Sequence, residues 1–272
     1  MPKQYSNTAS QYTSWPARYI AALLLLALVA YAAWASISPQ VQAELNWREI
    51  RARGTLRIGI DPGIQPFSFY DASGWNGFDA DLARELVARL NLQFSSDPVG
   101  YDSMYDALQT GRIDIALSAV SPNPNRTADF AYSQAYFDAG IRAVSLSAIN
   151  TPIDTPINLA HKRVAVGLGS EADRLVRFWE RRVPHLQRLP LPNDAAALAA
   201  LTSGQADVAL VSAFAAGGID GATTWQVSSL APRPYVVALR RADQRLLAEI
   251  NRTLTQMQQD GTLDALRRKW VK

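Results

Sequence analysis

From residue 54 onward the apolar positions fall into two spacings that alternate along the chain. Residues 56–60 (LRIGI) and 113–117 (IDIAL) are short apolar runs, the pattern of buried strands. Between them, residues 78–90 (FDADLARELVARL) space Leu82, Leu86, Val87 and Leu90 as on one face of a helix. Residues 104–109 predict a further helix closed by Gly111, and residues 46–53 (NWREIRAR) a short one ending at Gly54. Residues 61–66, rich in Pro and Gly, read as a loop. Short apolar strands alternating with helices indicate an α/β fold.

The pattern also repeats. Residues 107–117 read ALQTGRIDIAL and residues 200–210 read ALTSGQADVAL, sharing A-L-x-x-G-x-x-D-x-A-L. In each copy a helix ends, Gly supplies a left-handed cap, and a buried strand follows. Upstream, residues 55–60 (TLRIGI) and 162–167 (KRVAVG) each open a βα unit. The chain is therefore expected to hold two lobes of one design. Residues 140–146 (GIRAVSL) and 235–239 (YVVAL) are strand-like and sit where the chain can cross between lobes. The last stretch, residues 246–270, is helical in pattern with a break at Asp260-Gly261. If it returns to the first lobe, the two crossings make a hinge. The expected division is residues 44–145 with 236–272 as one lobe and residues 146–235 as the other.

The N-terminus follows a different pattern. Up to Ala43 it carries Lys3 and Arg18 and no acid; the first acid is Glu44. Residues 19–37 (YIAALLLLALVAYAAWASI) are uncharged and mostly apolar, which suits export. Two outcomes are open for residues 1–43. A signal peptide would be cut after Ala43, where Val41-Gln42-Ala43 places small residues at the usual positions. An uncut segment would anchor the protein in the membrane as one helix, since its length approaches the ~20 residues a bilayer needs. Either outcome puts residues 44–272 outside the cytoplasm, periplasmic or at the cell surface.

Composition removes several classes of function. The chain has no cysteine, which excludes disulfides, a thiolate metal site, a cysteine nucleophile and a lipidated cysteine anchor. His161 and His185 lack ligand-like spacing, so no metal is expected. The net charge of +3 comes without a basic stripe, so nucleic acid is not an expected partner.

Ligands of open α/β sheets bind beyond the carboxyl ends of the strands, where residues 61–69, 118–126, 167–171 and 211–214 fall. Residues 118–126 (SAVSPNPNR) offer the hydroxyls of Ser118 and Ser121 and the guanidinium of Arg126. A guanidinium holds a carboxylate with two parallel hydrogen bonds. Residues 167–172 (GLGSEA) match G-x-G-x-x-A, but residues 187–192 (QRLPLP) lack the acid a dinucleotide site needs. A smaller anion still suits that helix N-terminus. No G-x-S-x-G and no Walker loop is present, so an enzyme is not expected. Phe67, Phe69 and Tyr101 are aromatics near the expected cleft, each open to a core or a ligand role.

At these residues the chain resembles the polar amino-acid binding proteins of ABC transporters, with the two-lobed type II periplasmic-binding fold. The matching segments include LRIGIDPGIQPFSF from Leu56, GFDADLARELVARL from Gly77, YDSMYDALQTGRIDIALSAV from Tyr101 and NPNRTADFAYSQAYFDAG from Asn123, with KRVAVGLGS, ALTSGQADVAL and DGTLDALRRKW following. The resemblance covers residues 46–272. It implies capture of a small carboxylate-bearing solute, an amino acid or a related acid, for a membrane permease, by a monomer without a cofactor. It places Arg126, Ser118, Ser121 and Ser170 on the ligand carboxylate, Tyr101 against the ligand, and Asp61 near ligand side chains. Phe67 joins the candidates as a cleft aromatic. The chain departs from the pattern at Ser212, where the family has the aspartate for the α-amino group. It departs also at Ile64, a common aromatic position, and at Glu171, a usual Thr or Gly position. The carboxylate grip is kept and the amine grip is not: either Glu171 replaces the missing aspartate beside the uncharged Ser212, or the ligand carries no ammonium and Glu171 is a solvated first-turn acid. Two other readings stay open: an enzyme resembling the periplasmic cyclohexadienyl dehydratases, with Glu171 as its acid or base, and a ligand-sensing ectodomain.

Overall fold

The computed structural model describes residues 39–146, 152–217, 219 and 225–271, together with residues 22, 24–26 and 28. By its internal contacts the chain divides into residues 1–42 and residues 43–272, and the sheets below belong to the latter. Of the apolar run at residues 19–37, the described Ala22, Leu24, Leu25, Leu26 and Leu28 are helical and exposed. The rest of the run, and with it the choice between cleaved signal and retained anchor, lies outside the described residues. Among the described residues no helix is long and apolar enough to cross a membrane.

Helix α1 (Pro39–Arg53) starts earlier than its apolar pattern suggests, buries Trp47 and Ile50, and ends at Gly54. Strand β1 (Thr55–Ile60) leads through a small antiparallel ribbon, β2 (Gly63–Ile64), β3 (Ser68–Asp71) and β4 (Gly74–Asn76), into α2 (Phe78–Leu90). There follow β5 (Gln93–Pro98), α3 (Met104–Gln109), β6 (Ile115–Ala116), β7 (Phe130–Tyr132) and β8 (Phe137–Asp138). The second lobe runs through β9 (Ile141–Leu146), β10 (Arg163–Gly167), α4 (Glu171–Trp179), β11 (Gln187–Leu191), α5 (Asp194–Thr202), β12 (Val208–Ser212), α6 (Ala213–Gly217) and β13 (Trp225–Ala231). The chain returns by β14 (Pro234–Tyr235) and β15 (Ala238–Arg240) and closes with α7 (Gln244–Gln259) and α8 (Thr262–Trp270).

The two main sheets share one topology. The first has the order β5-β1-β6-β15-β7 and the second β11-β10-β12-β9-β13. In each, three parallel strands are followed by an antiparallel crossing strand, β15 or β9, and then an edge strand. The repeated motif closes with the same hydrogen bonds in both copies. Gly111 and Gly204, each at φ 70°, donate to Leu108 O and Leu201 O. Asp114 accepts from the N–H and guanidinium of Arg57; Asp207 accepts from the N–H and guanidinium of Arg163. The motif aspartate thus ties the start of the middle parallel strand, β1 or β10, to the start of β6 or β12, across 57 and 44 residues respectively.

One part of the expected division changes. The sequence pattern places residues up to 145 in the first lobe, yet Ile141–Leu146 pairs with β12 and β13 in the second sheet. The crossing therefore precedes β9. It is made by β8 and β14, which pair antiparallel with Tyr235 opposite Phe137. Asp138 staples this crossing: its Oδ1 accepts from Gly140 N (2.9 Å) and Arg233 N (2.7 Å), and its Oδ2 from Arg142 (2.7 Å) and Ser229 (2.9 Å). Burial would raise the Asp138 carboxyl, but these donors hold it below the usual carboxylate range. Gly140 is required here by contact rather than by φ. A Cβ would come within 2.0 Å of Ala231 O and 2.7 Å of Arg233 N.

The C-terminal helices return to the first lobe as expected. Leu246, Ile250, Leu254 and Met257 of α7 and Leu263 and Leu266 of α8 join the core built on β1 and α2. The second lobe has its own core around Val164, Val166, Val176, Leu210 and Trp179.

Candidate ligand-binding site

The loop after β6 is shaped by a buried carboxylate. Asp79, in the first turn of α2, is fully buried and accepts from Ala119 N at 2.7 Å. Ala119 has φ 49°, a left-handed conformation in which a non-Gly residue is uncommon. That turn redirects the chain toward residues 121–126. Burial pushes the Asp79 carboxyl up to about 7, against the lowering influence of the Tyr136 hydroxyl and the Ala119 N–H.

Arg126 ends the 3₁₀ turn Pro124–Arg126, which Asn123 caps by accepting from Asn125 N. Its guanidinium lies 4.6 Å from the centre of the Tyr105 ring and is exposed. Among the described residues it has no acidic partner, in contrast to Arg53, Arg57, Arg142, Arg163, Arg188 and Arg240. The ring beneath it is fixed in turn: Tyr105 Oη lies 3.1 Å from Tyr132 Oη, and the Tyr132 hydroxyl donates to Asn123 O. Ser121 is half-buried on the same loop and Tyr101 is exposed nearby in sequence to α3.

Asp61 and Ser118 are committed to holding loops. Asp61 Oδ1 accepts from Gly63 N and Oδ2 from Tyr101 N, each at 2.7 Å. This carboxylate positions Tyr101. The Ser118 side chain is wholly buried; its Oγ accepts from Asp61 N and lies 3.1 Å from Ser68 Oγ, which donates to Asp61 O. Ser118 is thus a support of the loop rather than an exposed hydroxyl. Phe67 also differs from a ligand-facing ring. It is 2% exposed and packs edge-on to Phe137, Phe214 and Tyr235, with centroids 5.2, 5.9 and 5.0 Å away. Phe67 therefore belongs to the aromatic core of the crossing. The sequence signal for Phe67 and Ser118, a position after a strand end, marks the neighbourhood and not the direction of the side chain.

The second lobe contributes a cavity of about 170 Å³ lined by Ser170, Glu171, Asp194, Ser212, Phe214 and Arg233, among others. Ser170 caps α4, its Oγ accepting from Asp173 N at 3.1 Å. Glu171 pairs with Arg233 at 2.5 Å, and both side chains stay partly exposed. Ser212 donates through both N (3.0 Å) and Oγ (2.8 Å) to Asp194 Oδ2. Asp194 is absent from the sequence-derived candidates. It reads locally as an ordinary first-turn acid of an alanine-rich helix, and nothing near it in sequence points to Ser212. Tyr235 sits between the two groups of residues. Burial pushes its hydroxyl up and Arg233 opposes this, while Asp79, Tyr101 and Glu171 add to the rise.

A surface depression of about 610 Å³ lies elsewhere, over Arg177, Phe178, Arg181 and Arg182, and holds none of the candidate residues. Among the described residues no group of His, Asp or Glu is placed to hold a metal ion. His161 and His185 stack on each other with centroids 4.8 Å apart.

Residues 56–272 match the family model of bacterial extracellular solute-binding proteins, family 3. The chain is 30% identical over 227 residues to the L-cystine-binding protein TcyJ of Escherichia coli (strain K12), covering 82% of this chain and 84% of that protein. It is 29% identical over 232 residues to the lysine/arginine/ornithine-binding periplasmic protein of the same organism, covering 79% and 87%. Among solved structures, an ancestral cationic amino acid solute-binding protein matches with 32% identity and a TM-score of 0.52, over 83% of this chain and 99% of that one. With the shared two-lobed topology and a match spanning both lobes, the chain belongs to the bacterial extracellular solute-binding proteins, family 3.

Proposed function

We propose that this protein captures a small carboxylate-bearing solute, an amino acid or a related acid, outside the cytoplasm and delivers it as a monomer to the permease of an ABC transporter. The observation that carries this reading is Arg126. A guanidinium stacked on Tyr105, exposed and without an acidic partner among the described residues, is a ready carboxylate clamp. Its relatives, named for L-cystine and for lysine, arginine and ornithine, all take ligands with an α-carboxylate. The opposite wall is the cavity around Ser170, Glu171 and Ser212, and the paired crossing strands between the lobes suit closure on a ligand.

The protein is a binding module in this reading, not an enzyme. Glu171, the acid a dehydratase-like reaction would need, is engaged by Arg233. Calorimetry with L-cystine, L-arginine and L-ornithine tests the reading. R126A is expected to weaken binding by about 2–5 kcal/mol, because the ligand carboxylate is left buried without its partner. R126K should recover only part, since an ammonium cannot make the planar two-bond contact. Unchanged affinity in R126A would place the carboxylate elsewhere.

A further inference from the structure

We propose that the arginine-rich face at the C-terminal end of α4 docks the second lobe on an anionic phospholipid surface. Residues 174–182 (RLVRFWERR) hold four arginines and one glutamate, while the whole chain has a formal net charge of only +3. Arg174, Phe178 and Arg182 follow at intervals of four, so they share one face of the helix and of the turn that closes it. These three residues, Arg177 and Arg181 are all exposed. The nearby acids are already engaged. Asp173 pairs with Arg177 at 2.5 Å and with Arg188 at 2.7 Å, and Glu180 lies 3.6 Å from Arg188. Arg174, Arg181 and Arg182 have no acidic partner among the described residues.

The Phe178 side chain is 53% exposed, and the Arg182 guanidinium lies 3.7 Å from its ring centre while donating to Phe178 O at 3.0 Å. That bond occupies one of the five N–H donors of Arg182. Guanidinium groups hold phosphate oxygens with paired hydrogen bonds, so the unused donors of this face suit phosphate. An exposed aromatic ring among them suits the boundary between headgroups and acyl chains. An acidic protein surface would answer the same charges, but a protein interface also buries a packed apolar centre. Phe178 is the single large apolar side chain exposed between residues 171 and 182, and Arg182 covers it. A headgroup layer therefore fits better than a protein. The apolar run at residues 19–37 points the same way, since it brings the chain to a membrane whether it is cut there or retained. The face is separate from the ligand cavity. Helix α4 begins at Glu171, which lines the cavity, and reaches Phe178 roughly 10 Å further along its axis.

The chain has no cysteine, so a single introduced one is labelled uniquely. P184C, at an exposed position just after Arg182, carries a fluorophore. The labelled full chain is mixed with vesicles of phosphatidylcholine alone, or of an equal mixture with phosphatidylglycerol, holding a quencher on a lipid headgroup. Quenching is read rather than sedimentation, because an uncut apolar run holds the chain in either bilayer. The anionic vesicles are expected to quench the label at low salt and to lose the effect at high salt. Phosphatidylcholine alone is expected to leave the label bright. Each arginine beside an anionic surface contributes roughly five-fold, so R174Q/R181Q/R182Q is expected to lower docking about 100-fold. Thermal melting confirms that this variant folds. Equal quenching by the two vesicle types, or none by either, overturns the proposal without recourse to that variant. A triple variant that docks as tightly as the parent overturns it as well. Absence of quenching on anionic vesicles, together with a response of the label to soluble polyglutamate, overturns the lipid assignment in favour of an acidic polypeptide.

Discussion

Replacing Asp79 by Asn should make the protein's stability less dependent on pH, and the sign can be worked out from its surroundings. Asp79 is fully buried, and burial raises its carboxyl from 3.8 to about 7. In the unfolded chain the proton is lost near the ordinary value. In the folded chain it is held until about 7. Between these values the folded state binds more protons, so stability falls as pH rises. The contribution is full below the unfolded value and is lost as pH passes through the folded one. The difference between 3.8 and about 7 corresponds to about 4 kcal/mol at 1.36 kcal/mol per tenfold change in proton affinity. Asn at this position still accepts from Ala119 N and has no charge to bury. Urea unfolding of wild type and D79N from pH 4 to pH 8.5 isolates the effect, because other titrating groups cancel in the difference. D79N should be the more stable protein at pH 8.5 relative to wild type than it is at pH 4, by on the order of 4 kcal/mol. A difference that does not change with pH would refute the reasoning. It would mean that Asp79 stays ionised in the fold and that its hydrogen bond outweighs the desolvation.

Three further substitutions test the frame that positions the site. G140A places a methyl against backbone atoms of residues 231 and 233, which cannot rotate away; it should cost about 1–3 kcal/mol or more by thermal or urea unfolding. A neutral result would mean that the crossing segments slide apart freely. D114N and D207N break the same motif bonds in the two lobes, but the Asp114 side chain is 1% exposed and that of Asp207 33%. D114N should therefore cost about 1.5–3 kcal/mol and D207N within about 1 kcal/mol. Equal costs would show that burial does not set the value of this bond.

Local pattern alone determined a good part of this molecule. The spacing of Leu82, Leu86, Val87 and Leu90 is the buried face of α2, because helix period and burial are both local properties. The repeat A-L-x-x-G-x-x-D-x-A-L marks two lobes because each copy folds on itself: Gly111 and Gly204 cap a helix, and the aspartate binds an arginine on a neighbouring strand of its own lobe. The place of Arg126 after a strand end was likewise legible, since it is a matter of sequence order. Contacts between distant segments were not. Whether β9 belongs to the first or second sheet depends on pairing with β12, about 70 residues on, and an apolar strand carries no mark of its partner. Ser118 and Phe67 sit at the strand ends the pattern indicates, yet their side chains turn into the loop support and the crossing core. Asp194 shows the converse. Its place in the second-lobe cavity is set by Ser212 lying beside it and Gly167 leaving room, and only the tertiary structure brings those residues together.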